Sequence, residues 1–439
     1  MSKPSIPFEQ AVRYASISDV GMRRKNNQDS KNLLVSSDED FWRKRGHLFV
    51  VADGMGAHAA GELASKMAAD SIPHLFSKDL DKDPITALHH AVSAANLDIF
   101  QRGQAEPEFT GMGTTCSTLL LLPEGAVVAH VGDSRIYRLR AGQLDQLTFD
   151  HSLVWEMQAA GKLSEDGTDL HFPKNIITRS LGPGPKVQID LEGPFPILQG
   201  DIYILCSDGL SGQISDHEIG IIVGCLSPAE SAQILVDIAN LRGGPDNITA
   251  IVVEVDHPPV AQTQADSGSS KPNSTWNWIL FLFFLTIAVI AGFYYYQDES
   301  GLKNYLKYFT LGASICAIVT AIVTILKHYE KSDRAAVTIY QPKPLGHAPY
   351  RTYSCTPTRE TTEKFSAIAT ELRKSAEHLG AEVDWEKYDE LTKNAFESVS
   401  NKSFSDAIYQ HCKSISHIVA ALKADRDTLR TSDSHIDLI

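Results

Sequence analysis

Four aspartates next to apolar runs are the residues of this sequence best suited to chemistry. Asp53 follows HLFVVA, Asp133 follows VVAHVG, Asp208 follows IYILCS, and Asp246 precedes NITAIVVEV. One such aspartate beside glycine is usually a turn residue. Four of them at the ends of strands would repel one another unless cations lay among them. The set therefore predicts a metal site.

The segment SDVGMRRKNNQD adds two charged groups to this set. Asp29 supplies a further carboxylate, and Arg24 supplies a planar cation that suits a phosphate. The set contains oxygen ligands and lacks a cluster of cysteine or histidine. Such ligands favour Mg²⁺ or Mn²⁺ over Zn²⁺.

The surrounding pattern alternates strands and helices that could position these groups. Small and apolar residues recur at three- and four-residue spacing over 59–76 and 85–100, which predicts two helices packed on a sheet. Residues 111–140 read as strands, with an AGQ turn closing a hairpin after IYRLR. Asp133 lies in this meander, where a simple turn residue is the competing interpretation. The polar segment 153–169 interrupts the strands.

An ordered series of motifs resembles the bacterial metal-dependent serine/threonine protein phosphatases of type 2C. The matching blocks cover roughly residues 14 to 256; they are SDVGMRRKNNQD, VADGMG, GMGTTCSTLLL, AHVGDSRIYRLRAG, QLTFDHSLV, NIITRSLG, LCSDGLSG and GGPDNITAIVV. The resemblance implies an α+β fold, an α/β sandwich of two central antiparallel β-sheets flanked by helices. It also implies that 153–169 is a flap beside the active site.

The resemblance assigns roles to the charged residues of the blocks. Asp53, the Gly54 carbonyl, Asp208 and Asp246 would hold two Mn²⁺ or Mg²⁺ ions that activate a bridging water for attack on phosphorus. Arg24 would clamp the phosphoryl oxygens. In bacterial relatives the aspartates corresponding to Asp133 and Asp208 can hold a third, weaker metal.

One residue departs from the family pattern. Gln28 stands where relatives usually have Glu, next to Asp29, and both are expected to support the ligands without binding the ions. An amide can still hold a metal-bound water by a hydrogen bond, but it adds no charge to the cluster. Gln28 is the feature that favours the alternative function, a catalytically weak pseudophosphatase acting as a membrane scaffold for phosphoproteins.

Three histidines near the blocks invite catalytic roles, but His58, His151 and His171 are each expected to be structural. Some relatives carry a histidine directly after the DG pair, where it could protonate the leaving oxygen. This sequence has Met55 there, so the general acid is not assigned. Ala57, where relatives usually have Gly, is a milder change.

The composition limits location and partners. The 439 residues include 40 basic and 54 acidic residues, a net charge of −14, which argues against nucleic acid as a partner. Six cysteines form no CxxC pair and read as reduced thiols of a cytosolic chain. The N-terminus lacks the apolar core of a secretory signal.

The sequence predicts a membrane hairpin after the phosphatase domain, which we place at 1–256. A polar linker at 257–275 precedes two spans, 276–296 and 308–326, separated by a loop at 297–307. A buried core helix is the less favoured interpretation of the first span. Lysine and arginine after the second span outnumber those in the loop, so both chain ends should lie in the cytoplasm, with the protein in the cell (inner) membrane.

The rest of the chain reads as a connector, 327–357, a helical tail, 358–430, and a disordered end, 431–439. Asp384 is suited to cap a helix. Part of the tail has the spacing of a tetratricopeptide repeat, but one such unit is below the number that makes a stable array, so a small helical bundle of unknown partner is preferred. The whole predicts a membrane-anchored phosphatase of phosphoserine and phosphothreonine proteins, opposing a serine/threonine kinase.

Overall fold

The computed structural model describes residues 12–56, 59–163, 176–256 and 345–433, with side chains described up to residue 424. They form two antiparallel sheets flanked by helices, which confirms the α+β architecture implied by the resemblance. The first sheet has the strand order β1 (Val12–Asp19), β11 (Ile248–Val255), β10 (Ile202–Cys206), β7 (Arg135–Arg140), β8 (Gln143–Gln146) and β12 (Arg351–Ser354). The second has the order β2 (Asp29–Leu34), β3 (His47–Met55), β5 (Cys116–Leu122), β6 (Gly125–Val131) and β9 (Asp190–Phe195), and β4 (Gly113–Thr114) pairs with the end of β3.

Helices cover the sheets or follow them in the tail. Before β9 the helices are α1 (Glu39–Arg45), α2 (Ala60–Lys78), α3 (Pro84–Ala105), a short 3₁₀ helix (Pro107–Phe109) and α4 (Leu153–Ala159). After it come α5 (Asp208–Ser211), α6 (Asp216–Cys225) and α7 (Pro228–Leu241). The tail contains α8 (Arg359–Leu379), α9 (Trp385–Ser400) and α10 (Phe404–Asp433). The predicted helices at 59–76 and 85–100 correspond to α2 and α3.

The alternation of side chains along the strands divides the core into layers. In β3, Leu48 and Val50 pack with the helices on the outer face, whereas Phe49 and Val51 pack between the two sheets. All four side chains are fully buried. Burying each such side chain contributes roughly 1.5–3 kcal/mol to folding, so β3 is held firmly from both faces.

Local sequence fixes the ends of several elements. The Asp83 side chain accepts a hydrogen bond from the Thr86 backbone at 3.0 Å, and Pro84 starts α3. Asp384 caps α9 by accepting from the backbone of Lys387 at 3.1 Å, as the sequence predicts. The predicted hairpin turn has positive φ angles at Ala141 and Gly142, which suits the tight β7–β8 connection.

The tail differs from the expectation of a separate domain after a plain connector. The prediction of a connector over 327–357 is wrong at its end, because Arg351–Ser354 form β12 and pair with β8. These four residues carry no apolar alternation, and their strand conformation comes from the partner strand. Helix α10 continues to Asp433, beyond the predicted boundary, and residues 434–439 lie outside the described residues.

The tail and the first sheet share one core. Phe365, Ile408 and Cys412 pack in the same cluster as Leu144 and Ile222, which belong to the part of the chain before residue 257. Ion pairs join Lys413 to Glu230 at 2.8 Å and Lys423 to Asp237 at 2.9 Å. The tail is helical as predicted, and it packs onto residues 12–256 within one folded unit.

Within the described ranges, no helix is both long and apolar enough to cross a membrane. The predicted linker 257–275, the spans 276–296 and 308–326, and the loop 297–307 lie outside the described residues. These assignments therefore stay predictions.

Candidate metal centre

Strand β3 holds Asp53 by its backbone. The strand does not end there, but continues to Met55 through pairing of Gly54 with Thr114. The Asp53 amide donates to Thr115 Oγ1 at 2.9 Å, and its carbonyl accepts from the Thr115 amide at 2.8 Å. A Cβ on Gly54 would lie 2.0 Å from the carbonyl oxygen of Gly61, so glycine is required for α2 to approach β3.

The first sheet brings Asp208 and Asp246 to one end. Asp208 begins α5 directly after β10, and Asp246 lies two residues before β11, the strand that pairs with β10. The loops touch, because a Cβ on Gly209 would lie 2.0 Å from the carbonyl oxygen of Asn247. Burial and the charge of Asp246 raise the pKa of Asp208.

Asp29 links the two sheets below the cleft. It stands opposite Asp53 in the β2–β3 ladder, and its Oδ2 accepts from Ser207 Oγ at 2.7 Å. Ser207 is the residue before Asp208. Burial, followed by the charges of Asp208 and Asp246, raises the pKa of Asp29 to about 7. Asp29 therefore links β3, which carries Asp53, to Ser207, the residue before Asp208.

The buried carboxylates repel one another, and cations can neutralise their charge. Burial raises the pKa of Asp133 to about 8 and that of Asp53 well above its usual range, with further contributions from neighbouring aspartates. Asp29 Oδ1, Asp133 Oδ1 and Asp208 Oδ1 are buried and accept no hydrogen bond from the described residues. Buried charges of this kind require protons or cations.

The side chains as they stand do not close into a preformed site. Across the described residues, no three acidic, histidine or cysteine side chains converge closely enough to count as a metal-binding group. The fit to a divalent ion therefore rests on the unpartnered buried oxygens and on the donor chemistry, which is oxygen only. Both suit Mg²⁺ or Mn²⁺.

Arg24 lies at the opening of this cluster. Its Nη2 donates to Asp246 Oδ2 at 2.8 Å, and about half of its side chain is exposed. The guanidinium fork retains donors for a second anion, because it carries five N–H groups. Arg24 is thus placed beside the aspartates on the solvent side.

Gln28 and Asn247 tie the loops of the centre together. The Gln28 amide donates to Asn247 Oδ1 at 2.8 Å, and the Gln28 carbonyl accepts from Gly54 at 3.1 Å. Asn247 Nδ2 also donates to the carbonyls of Val20 and Asn26. The sequence interpretation missed Asn247, although it lies in the block that identified Asp246. Its amide supplies both the donor and the acceptor that join its own loop to the connection between β1 and β2.

The described histidine among the three candidates has a structural environment. His151 is buried, its Nδ1 accepts from the Gly132 amide at 2.9 Å, and its Nε2 lies 2.9 Å from Asp190 Oδ2. Both ring nitrogens are therefore occupied away from the cleft. His58, His171 and Ala57 lie outside the described residues.

A cleft of about 500 Å³ opens above the aspartates, and Arg24, Asp133, Asp208 and Asp246 contribute to its lining. Trp155 of α4 and Arg351 of β12 line it as well. The sequence interpretation missed these last two residues. Trp155 lies within the predicted flap without any distinguishing pattern, and Arg351 is separated from the cluster by about a hundred residues of sequence.

Comparisons with known proteins agree with this arrangement. The family model described as Protein phosphatase 2C matches residues 23–179. Protein phosphatase PhpP of Streptococcus pneumoniae is 39% identical over 249 residues, which cover 56% of this chain and 98% of PhpP. Serine/threonine protein phosphatase PstP of Mycobacterium tuberculosis is 37% identical over 253 residues, 58% of this chain and 47% of PstP. The crystal structure of PstP/Ppp from M. tuberculosis superposes with a TM-score of 0.50 at 36% identity, covering 56% of this chain and 99% of that one.

Proposed function

Because the chain belongs to the protein phosphatase 2C family and is a protein serine/threonine phosphatase, we propose that its active site is the aspartate cluster beneath the cleft. The phosphatases of this family use two Mn²⁺ or Mg²⁺ ions. We assign Asp53, the Gly54 carbonyl, Asp208 and Asp246 as their ligands, with Asp133 and Asp208 for a third. The observation that carries this assignment is that Asp133 Oδ1 and Asp208 Oδ1 are buried without a hydrogen-bond partner, in a cluster in which Asp53 interacts electrostatically with Asp133, Asp208 and Asp246.

The bound ions would supply an activated water and charge stabilisation for attack on phosphorus. The chain's own residues prepare the site. Thr115 fixes the backbone of Asp53, and Ser207 fixes Asp29 behind the ligands. Arg24 is held over the cleft by Asp246, where its guanidinium can bind two phosphoryl oxygens and offset the charge that develops on them. No covalent phosphoenzyme is needed.

The test of this site is Mn²⁺-dependent hydrolysis by the full chain. A phosphothreonine peptide and p-nitrophenyl phosphate serve as substrates, with and without EDTA. We expect turnover that EDTA abolishes and added Mn²⁺ restores. Turnover that survives EDTA would contradict the metal assignment. The scaffold alternative is not favoured by the comparisons, and it predicts phosphopeptide binding without turnover even at saturating Mn²⁺.

The protein is further proposed to be anchored in the cell membrane by 276–296 and 308–326, with the phosphatase domain and tail in the cytoplasm. Two uncharged stretches of spanning length support this proposal. The shared core of 12–256 and 345–433 supports it as well. Because the chain leaves this folded unit and returns to it, the segment between the two parts can cross a bilayer only an even number of times.

Two reporters test the topology. A fusion after Ile439 should report the cytoplasm, and a tag between Gln297 and Asn304 should be reachable from outside. Recovery of both on the same side would refute the hairpin.

A serine/threonine kinase is the proposed opposing enzyme. Candidate kinases can be deleted in a strain that lacks the phosphatase. The opposing kinase is the one whose deletion removes the phosphorylation that accumulates in that strain.

A further inference from the structure

The tail contributes one cation to the cleft. Strand β12 pairs with β8 so that Arg351 lies opposite Gln146, and Arg351 lines the same cleft as Arg24 and Asp246. The aligned part of PhpP accounts for 56% of this chain, a length similar to that of residues 12–256 alone. The tail therefore adds a charged group to a site that is otherwise built from the phosphatase domain.

Two neutral side chains of α4 hold Arg351 in place. Its guanidinium carbon lies 4.1 Å from the centroid of the Trp155 ring, and its Nη2 donates to Gln158 Oε1 at 2.9 Å. Trp155 is only 7% exposed, so the ring is a fixed platform. Stacking on an aromatic face orients a guanidinium without neutralising it.

The other cations of the cleft are bound directly to carboxylates. Arg24 is paired with Asp246 at 2.8 Å, and Arg135 is paired with Asp150 at 2.7 Å and with Asp216 at 3.1 Å. Among the described residues, Arg351 forms no ion pair within 4.0 Å. It acts on Asp150 electrostatically, but that carboxylate already accepts from Arg135 and Gln146.

We propose that Arg351 is a substrate-binding residue that recognises an anionic group next to the phosphorylated serine or threonine. The tail thereby gives the enzyme a preference for acidic phosphopeptides. The proposal rests on the proposed function of the cleft, since the phosphoresidue must bind at the aspartate cluster. A carboxylate or a second phosphate would supply the same bidentate acceptor chemistry.

The first experiment measures hydrolysis by the full chain with Mn²⁺. The substrates are one phosphothreonine peptide with flanking glutamates, the same peptide with glutamines or lysines, a doubly phosphorylated form, and p-nitrophenyl phosphate. The variants are Arg351→Ala and Arg351→Glu. The matched control is Arg359→Ala, which removes an exposed tail cation paired with Glu363 outside the cleft.

We expect wild type to favour the glutamate peptide over the glutamine peptide. Arg351→Ala should raise KM for the glutamate peptide by about three- to tenfold, and Arg351→Glu should shift the preference to the lysine peptide. Hydrolysis of p-nitrophenyl phosphate, which has no flanking residues, should change less than hydrolysis of the glutamate peptide in Arg351→Ala, and the ratio of the two rates is the readout. If Arg351→Ala weakens hydrolysis of the doubly phosphorylated peptide and leaves hydrolysis of the glutamate peptide unchanged, the ligand of Arg351 is a second phosphate. Equal losses on all substrates would overturn the proposal, because they would show that Arg351 only supports α4.

A binding measurement separates this inference from the proposed function. Fluorescence anisotropy of the same labelled peptides on Asp208→Asn, with and without Arg351→Glu, requires no turnover. A charge-dependent difference in binding supports the role of Arg351 even if hydrolysis fails. Identical binding of all three flank sequences to both proteins overturns it, whatever the activity. If a variant folds poorly, the wild-type protein provides the test by itself. Its preference for the glutamate peptide should then decrease as the salt concentration rises.

Discussion

The Nη2 atom of Arg24 lies 2.8 Å from Oδ2 of Asp246, so the proposed phosphate clamp is bonded to a proposed metal ligand. The Asp246 backbone continues into Asn247, which holds the loop carrying Arg24 through the carbonyls of Val20 and Asn26. The position of the clamp is therefore tied to the ligand loop. A ligand change should move the clamp, and loss of the clamp should leave the ligands in place.

Arg24→Ala should lower kcat/KM for a phosphothreonine peptide by about 100-fold at saturating Mn²⁺, because one preorganised group opposite the developing charge is lost. The Mn²⁺ activation midpoint should stay within about twofold, since Asp246 keeps its carboxylate. Arg24→Lys should recover only part of the rate, because it lacks the planar fork. The exposed neighbour supplies the control variant, Arg23→Ala. An equal loss in Arg23→Ala would contradict the assignment.

Asp208→Asn should abolish Mn²⁺-dependent turnover and raise the melting temperature of the metal-free protein. The substitution removes a ligand charge and also relieves the repulsion that raises the pKa values of Asp29 and Asp133. Thermal melts in EDTA and activity with Mn²⁺ measure both effects. Asp98→Asn, an exposed site on α3, should change neither. A mutant that is inactive and also less stable in EDTA would indicate a structural role for Asp208.

The stability of the metal-free protein should fall as pH rises from about 6.5 to about 8. Burial raises the folded-state pKa of Asp29 to about 7 and that of Asp133 to about 8, above the ordinary value of 3.8. The folded protein thus holds protons that the unfolded chain has released, and each group destabilises by about 1.4 kcal/mol per pH unit up to its own folded-state pKa. Below about pH 6.5 the buried rings of His47 and His411 change stability in the opposite direction, because burial lowers the pKa of each to about 4 and only the unfolded chain takes up their protons. Urea unfolding in EDTA at about pH 6.5 and about pH 8 tests the sign. Mn²⁺ should reduce the difference, because it replaces the protons on the aspartates. Higher stability at the upper pH in EDTA would contradict the prediction.

Gln28→Glu should shift the Mn²⁺ activation curve to lower concentration by several-fold. A new carboxylate near the ions strengthens the cluster by about 1 kcal/mol. The side chain packs against Gly61 and is close in shape to glutamate, so the fold should be preserved. Titrating Mn²⁺ at a fixed phosphopeptide concentration gives the midpoint. An unchanged midpoint would show that the amide already performs the role of the family's Glu, whereas a higher KM alone would indicate repulsion of phosphate.

Glu192→Gln should loosen the start of the tail. Glu192 is buried, and its carboxylate accepts from the backbone amides of His347 and Ala348 at 2.8 and 2.9 Å and from the Tyr350 hydroxyl at 2.5 Å. An amide cannot accept all three bonds, which should cost about 1–3 kcal/mol. Limited proteolysis should then cut near 345–350 faster than in wild type. The exposed Glu124→Gln is the control, and unchanged cleavage in Glu192→Gln would show that these bonds do not hold the tail.

The sequence predicted most of what depends on local pattern. The helices 59–76 and 85–100 have regular apolar spacing, and Asp384 has a capping position that needs no tertiary context. The motif blocks placed Asp29, Asp53, Asp208 and Asp246, which the structure brings to one end of the two sheets. Their separation along the chain hid the contact itself, which depends on pairing between β2 and β3 and between β10 and β11.

The tail shows where sequence reasoning reached its limit. Phe365 and Ile408 have the spacing of any amphipathic helix, and nothing in that spacing tells whether the apolar face covers another tail helix or the phosphatase domain. Arg351 lies in a segment without periodicity. Its position is set by pairing with β8, about two hundred residues earlier, through backbone hydrogen bonds that almost any residue type could make.

Strand β12 also affects whether the catalytic domain can be produced without the tail. It occupies the outer side of β8, which is otherwise bonded only to β7. A fragment ending at Asp256 keeps all five aspartates but leaves a bare strand edge, and it also uncovers the apolar surface of α6 and α7. Such edges recruit strands from other copies and lead to aggregation. A soluble enzyme should instead be obtained by replacing residues 257–344 with a short flexible linker, so that the tail remains to shield the sheet.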